Sequence, residues 1–170
     1  MKTFAIYCSG GASRVLRLYA NNRNSQFKPE FVLYDGSSKE TASELVSIFG
    51  ASLFCFSDES DEFDCDMPNL SLSNYLQRLL IQTDTDVLLS FGSRVLRGSL
   101  LRLYRNRILN FHPSLLPSFK GLNAIDQAVS HGVGVVGNTV HVVQREIDSG
   151  QIILQSVMKV GDVRCIEDVV

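Results

Sequence analysis

Four short apolar runs, each closed by a turn and followed by an amphipathic stretch, constrain this chain more than any other feature. They are Phe4 to Cys8, Glu30 to Tyr34, Ala51 to Phe56 and Asp86 to Phe91. Compact apolar runs of strand length suit parallel strands buried on both faces. Between them lie helical patterns. Arg14 to Tyr19 carries Val15, Leu16, Leu18 and Tyr19 at helical spacing, after the tight turn Ser9-Gly10-Gly11-Ala12-Ser13. Lys39 to Phe49 puts Ala42, Leu45, Val46 and Phe49 on one face, with Gly50 as the expected C-cap. Ser71 to Gln82 presents Leu72, Tyr75, Leu76, Leu79 and Leu80, with Ser71 or Ser73 as its expected cap. Ser99 to Tyr104 reads as a short helix, Arg107 to Asn110 as a short strand and Leu122 to His131 as a helix. Val135 to Val143 and Ile152 to Val157 are β-rich and predict an antiparallel or mixed edge. This order predicts the α/β class: one domain over residues 1–170, with a doubly wound, mostly parallel sheet and helices on both faces.

Composition narrows the functional classes. The 170 residues are 45% hydrophobic and 20% charged, a balance that supports a packed core. The formal charge of −2 lacks the basic excess of a chain that lives on nucleic-acid phosphates. The N-terminal apolar run breaks at Ser9-Gly10-Gly11, too early for a membrane span and poorly built for a signal peptide. Cys8, Cys55, Cys65 and Cys165 form no CxxC pair and no zinc spacing. They read as reduced thiols of a cytoplasmic protein, with Cys8 and Cys55 filling core positions. Ser57 to Pro68 is acidic and reads as a solvated loop. It shows no defined metal-ligand geometry, so no metal is expected.

In doubly wound sheets, ligands sit beyond the carboxyl ends of the strands. The loops after Cys8, Phe91 and Asn110 are therefore where chemistry is expected. Asn110 and His112 lie two apart at a strand end, so their side chains share a side. Pro113 restricts His112 to extended geometry. A carboxamide and an imidazole aimed at one point can stabilise an oxyanion and move a proton. A hydrogen-bonded structural histidine is the competing reading of His112.

The segment Asn110-Phe111-His112-Pro113-Ser114-Leu115-Leu116-Pro117, with Gly121, closely resembles the signature of 10-formyltetrahydrofolate-dependent formyltransferases. The resemblance is nearest to the branch that acts on glycinamide ribonucleotide in purine synthesis. A second block, Gly137-Asn138-Thr139-Val140-His141 followed by Asp148-Ser149-Gly150, is similar to that family's Gly-x-Thr-Val-His segment and its acidic loop. The resemblance implies a Rossmann-like formyltransferase fold, 10-formyltetrahydrofolate as co-substrate and a small-molecule amine as acceptor, with no nucleic acid, membrane or metal involved. It implies that Asn110 hydrogen-bonds the formyl oxygen and that His112 stabilises the oxyanion. Asp148 would favour the protonated form of His112 and help move the amine proton.

By the same resemblance, Ser93, Arg94, Val95 and Leu96 form one pterin loop, and Val143, Gln144, Arg145 and Glu146 another. Plain packing competes at Leu96, and a surface role at Arg94. Gly10, Gly11, Ala12, Ser13 and Arg14 resemble the family's phosphate cradle, where backbone amides at a helix N-terminus favour an anion.

Several positions depart from the family pattern. Gly11 and Arg14 stand where it has asparagines, and Leu122 to Asp126 stand where it commonly has histidines. The usual C-terminal helix, with its substrate-holding glutamate, is not expected within these 170 residues. These departures leave a second acceptor open, the amino group of a nucleotide-linked sugar. Hydrolysis of 10-formyltetrahydrofolate, or binding of folate without catalysis, are further alternatives. His131 and His141 read as structural, near a helix end and within a strand.

Overall fold

The computed structural model of the chain describes residues 2–21, 28–57 and 68–162. Its contacts gather into two compact units, residues 1–108 and 109–170. The strand and helix order follows the predicted one. The α/β class and the mostly parallel strands are both present.

The first unit holds β1 (Phe4–Cys8), α1 (Ser13–Asn21), β2 (Val32–Tyr34), α2 (Lys39–Phe49), β3 (Leu53–Cys55), α3 (Pro68–Gln82), β4 (Val87–Phe91) and α4 (Ser99–Leu103). β1 pairs in parallel with β2 on one side and β4 on the other, and β2 pairs in parallel with β3. β1 is therefore interior, and Ala5, Ile6, Tyr7 and Cys8 are fully buried. Ile6 and Cys8 pack with Val32, Tyr34, Val15 and Leu45 in one cluster. Leu72, Leu76 and Leu80 bury the inner face of α3. Each such side chain contributes about 1.5–3 kcal/mol relative to exposure. The connection from β1 leads to β2 on one side while β4 flanks β1 on the other. The loops after β1 and β4 therefore meet at a topological switch point.

The second unit holds α5 (Ala124–Ser130), β6 (Val135–Val142) and β7 (Ile152–Lys159), and takes in β5 (Ile108–His112) from Leu109 onward. β5 pairs antiparallel with β6, and β6 antiparallel with β7, as the β-rich tail predicts. The β6–β7 register slips between Val140 and His141, leaving Ile153 as an extra residue on β7. Such a bulge re-aims neighbouring side chains.

Local expectations differ from the structure at a few points. Lys39–Phe49 is helical as predicted, with Ser38 capping its start by accepting from the Thr41 N–H. Gly50 closes it at a positive φ, 56°. Ser71 and Ser73 do not cap α3. The helix starts earlier, at Pro68, and both serines are buried inside it. Ser73 Oγ instead donates to the Asn69 carbonyl and accepts from the Arg97 N–H, a tertiary use of a hydroxyl that spacing alone does not reveal. The third strand begins at Leu53, because residues 50–52 form a 3-10 turn. Cys8 is a core residue, but Cys55 is exposed at the end of a three-residue strand. The acidic loop expected around residues 58–67 lies outside the described residues, as do Cys65 and Cys165.

Candidate active site

In the second unit, two strands and one loop converge on a carboxylate. On β5, Asn110 stands opposite His141 of β6, and His112 opposite Thr139. Gly137, Thr139 and His141 alternate on the buried face of β6. Thr139 Oγ1 donates to the Ser114 carbonyl at 2.7 Å and accepts from the Leu116 N–H at 3.0 Å. Gln155 Nε2 adds bonds to the Leu116 carbonyl and to Thr139 Oγ1. One buried hydroxyl on β6 thus anchors the Pro113–Pro117 turn, each bond contributing about 1 kcal/mol. The two sequence motifs are tied to each other at this point.

Asp148 closes the cluster from the loop between β6 and β7. Its Oδ2 lies 3.3 Å from His112 Nδ1 and accepts from the Gly121 N–H at 2.8 Å, while its Oδ1 lies 3.4 Å from His141 Nε2. Asp148 is left-handed, φ 47°, a conformation that costs an L-residue about 1–2 kcal/mol. Gly150 explains the sharp return of the chain two residues on. A Cβ there would run into the Val142 carbonyl oxygen. Gly121, at φ 82°, takes a conformation few L-residues adopt and thereby aims its N–H at the carboxylate. Burial pushes the Asp148 pKa up. The hydrogen bond from the Gly121 N–H and the pull of the facing His112 are among the influences that outweigh it, so the carboxyl titrates below its ordinary value.

His112 is 4% exposed, and both its ring nitrogens face acceptors: Nδ1 the Asp148 carboxylate, Nε2 the Phe119 carbonyl at 2.8 Å. An imidazolium, with two N–H donors, satisfies both. Asn110 Nδ2 lies 3.2 Å from His141 Nε2. Asn110, His112 and Asp148, singled out from the sequence, therefore belong to one cluster, in which Asn110 meets His141 and both histidines meet Asp148. His141, read there as structural, belongs to the same cluster. In the sequence it stands in period-two register with Gly137 and Thr139, and the pairing with Asn110 across β5 is what gives that position a role. His131, by contrast, is exposed at the C-cap of α5, bonded to the Gln127 carbonyl.

The other predicted residues fall into two groups. In the first unit, the Gly10–Arg14 turn and the Ser93–Leu96 segment are joined through Ser9, whose Oγ accepts from the Ser93 N–H at 2.7 Å and donates to Ser93 Oγ at 3.1 Å. Gly10 and Ala12 are both left-handed, and the Tyr34 hydroxyl donates to the Gly10 carbonyl. Gly11 and Ser13 are exposed. The Arg14 guanidinium lies over the Phe91 ring, and burial lowers its pKa. Arg94 is not a plain surface cation: its Nε donates to Asp35 Oδ2 at 2.8 Å. Val95 is half-buried, and Leu96 is buried among core residues, as its packing alternative has it. In the second unit, Val143 is half-buried and Gln144, Arg145 and Glu146 are exposed on the loop that carries Asp148.

The chain resembles known proteins over nearly its whole length. A family model described as formyl transferase matches residues 2–169. The phosphoribosylglycinamide formyltransferase of Bacillus subtilis is 30% identical over 166 residues, 95% of this chain and 82% of that protein. The bovine trifunctional purine biosynthetic protein adenosine-3 is 45% identical over 86 residues, half of this chain but 8% of the much longer relative. Among solved structures, phosphoribosylglycinamide formyltransferase from Streptococcus pneumoniae superposes with a TM-score of 0.76 at 31% identity. That match covers 94% of this chain and 83% of that one.

Proposed function

Because the chain belongs to the formyl transferase family, we propose that it is a folate-dependent enzyme that moves the formyl group of 10-formyltetrahydrofolate onto the primary amine of glycinamide ribonucleotide. The amine nitrogen attacks the formyl carbon, and the carbonyl oxygen becomes an oxyanion. The nitrogen then gives up a proton, the bond from carbon to N10 breaks, and N10 takes a proton. The products are tetrahydrofolate and the formylated amide.

Negative charge develops on one oxygen and positive charge on one nitrogen, and the cluster answers both. Asn110 offers an N–H to the formyl oxygen. His112, faced on both ring nitrogens by acceptors, offers positive charge to the oxyanion. Asp148 holds His112 and faces the proton that leaves the amine. The observation that carries the reading is the Asp148 carboxylate, pinned by the Gly121 N–H beside His112 and kept ionised. Ser93 to Leu96 and Val143 to Glu146 are assigned to the pterin, Leu96 from behind as packing. Gly10 to Arg14, at the start of α1, is assigned to the phosphate of the acceptor.

Mixing protein, 10-formyltetrahydrofolate and glycinamide ribonucleotide and following the folate absorbance tests the proposal. Turnover with that amine, and none with an amino-sugar nucleotide, is the expected result. Absence of turnover with glycinamide ribonucleotide would sink it.

A further inference from the structure

We propose that His141 is a positioning residue for formyl transfer, its ring fixing which way the Asn110 carboxamide faces. The inference rests on the formyl-transfer reading and adds a residue to it.

The argument is one of donors and acceptors. His141 is 2% exposed, so its ring atoms must find partners in the protein. Nδ1 lies 3.0 Å from the Val142 carbonyl, which can only accept. Nδ1 therefore carries a hydrogen, and on the neutral ring Nε2 is an acceptor. Asn110 Nδ2 lies 3.2 Å from that nitrogen. Only the NH₂ end of the carboxamide can be there, because its oxygen would face a lone pair. One Nδ2 hydrogen is held by His141, and the other is left for the formyl oxygen. If Asn110 turned its amide over, it would present an acceptor to an oxyanion.

The fold places the ring for this. His141 sits beside the bulge in the β6–β7 pairing and directly opposite Asn110 on β5. Cross-strand neighbours in that register have Cβ atoms about 4.5–5.5 Å apart. The titratable groups that face the ring are Asp148, 3.4 Å from Nε2, and His112, whose ring centre is 6.4 Å away. Asp148 thus stands at the same edge of the ring as Asn110. A ring protonated at Nε2 would turn to Asp148 and release Asn110, so the arrangement works with His141 neutral.

Two measurements decide the inference. In ¹⁵N NMR of the wild-type protein, His141 is expected as the Nδ1–H tautomer, with a pyridine-like Nε2. An Nε2–H tautomer overturns the proposal, and this readout does not depend on turnover. In kinetics, His141→Asn keeps a donor for the Val142 carbonyl but nothing for Asn110, whereas His141→Gln places an acceptor near the Nε2 position. His141→Asn is expected to lower kcat by about 10- to 100-fold, the scale of misplacing one catalytic group. Its affinity for tetrahydrofolate should stay within about threefold of wild type. His141→Gln is expected to recover at least about tenfold of the lost kcat. If Asn is as active as Gln, or if both lose folate affinity in step with kcat, the ring is merely structural and the proposal fails. If wild type turns over no amine, the formyl-transfer reading fails instead, and the tautomer still reports on His141. The tautomer likewise decides should His141→Asn not fold.

Discussion

Two aspartates, one in each unit, are buried among similar groups and respond in opposite directions. Asp35 follows β2 in the first unit; its side chain is 2% exposed and accepts from the Tyr7 hydroxyl and from Arg94 Nε, both on Oδ2. Asp148 in the second unit has a side chain 10% exposed; its Oδ2 accepts from the Gly121 N–H and faces His112 Nδ1, and its Oδ1 faces the His141 ring. Burial is the largest influence on each and raises the pKa of each. At Asp35 burial wins and the pKa is raised. Tyr7 and the Arg94 charge offset it only in part, and Oδ1 has no hydrogen-bond partner. At Asp148 the donors win and the pKa is lowered. A buried carboxylate is thus kept ionised where a backbone N–H and facing imidazoles together outweigh burial. The raised Asp35 also leaves its mark nearby: burial and then Asp35 push the Cys8 thiol up to about 12, and the Tyr7 hydroxyl is raised for the same two reasons.

The largest expected effect tests whether the ionised carboxylate is the working one. Asp148→Asn keeps a residue tolerated in the left-handed region and removes only the charge. It should lower kcat by at least about 10³-fold while tetrahydrofolate still binds. His112→Ala should do the same. Asp35→Asn, the matched change in the first unit, should leave kcat within about tenfold. If Asp35→Asn is as damaging as Asp148→Asn, the contrast between the two carboxylates says nothing about catalysis.

A smaller effect tests the loop that holds Asp148 in place. Gly150→Ala puts a Cβ into the Val142 carbonyl oxygen, which is backbone and cannot yield without disturbing the β6–β7 hairpin. A loss of about 1–3 kcal/mol in unfolding free energy is expected, read by chemical denaturation. kcat should fall too, because Asp148 lies two residues away. Unchanged stability would mean that the loop accommodates the methyl group by moving.

The same pair of regions shows what the sequence could and could not tell. In the first unit β1 and β2 were legible because burial on both faces leaves an apolar run with no alternation, as in Phe4 to Cys8. In the second unit, Asn110, His112 and Asp148 were legible through motif resemblance, and their convergence follows from β5 pairing with β6. His141 was missed because a lone histidine within a strand is more often a satisfied core residue, and only the register Asn110 to His141 gives it a role. Asp35 carries no functional signal in the sequence. As Asp35-Gly36 it reads as a turn pair after a strand, and nothing local announces that Tyr7 and Arg94, 28 and 59 positions away, will close over it. Ser73 failed for the same reason: its partner, Arg97, is distant in sequence.

The smallest expected effect tests the contrast through stability. A carboxyl whose folded pKa is lowered binds fewer protons folded than unfolded. Its stabilisation is present above the unfolded value, about 3.9, and is lost as pH falls through the folded value. That is Asp148. A carboxyl whose folded pKa is raised behaves in the reverse sense. Its contribution is full below about 3.9 and is lost as pH rises through the higher folded value. That is Asp35. Replacing each by asparagine removes its share of the pH dependence. The Tm of Asp35→Asn relative to wild type should therefore climb as pH rises from about 3.9 through the folded pKa of Asp35. The relative Tm of Asp148→Asn should drop as pH rises toward about 3.9, and both should be flat outside their windows. For a chain of this size, about 1 kcal/mol shifts Tm by roughly 2–4 °C, so scanning calorimetry across the acid range resolves the two slopes. Slopes of the same sign would mean that the Asp148 donors do not overcome burial, and the ionised carboxylate at the centre of the proposed reaction would lose its physical basis.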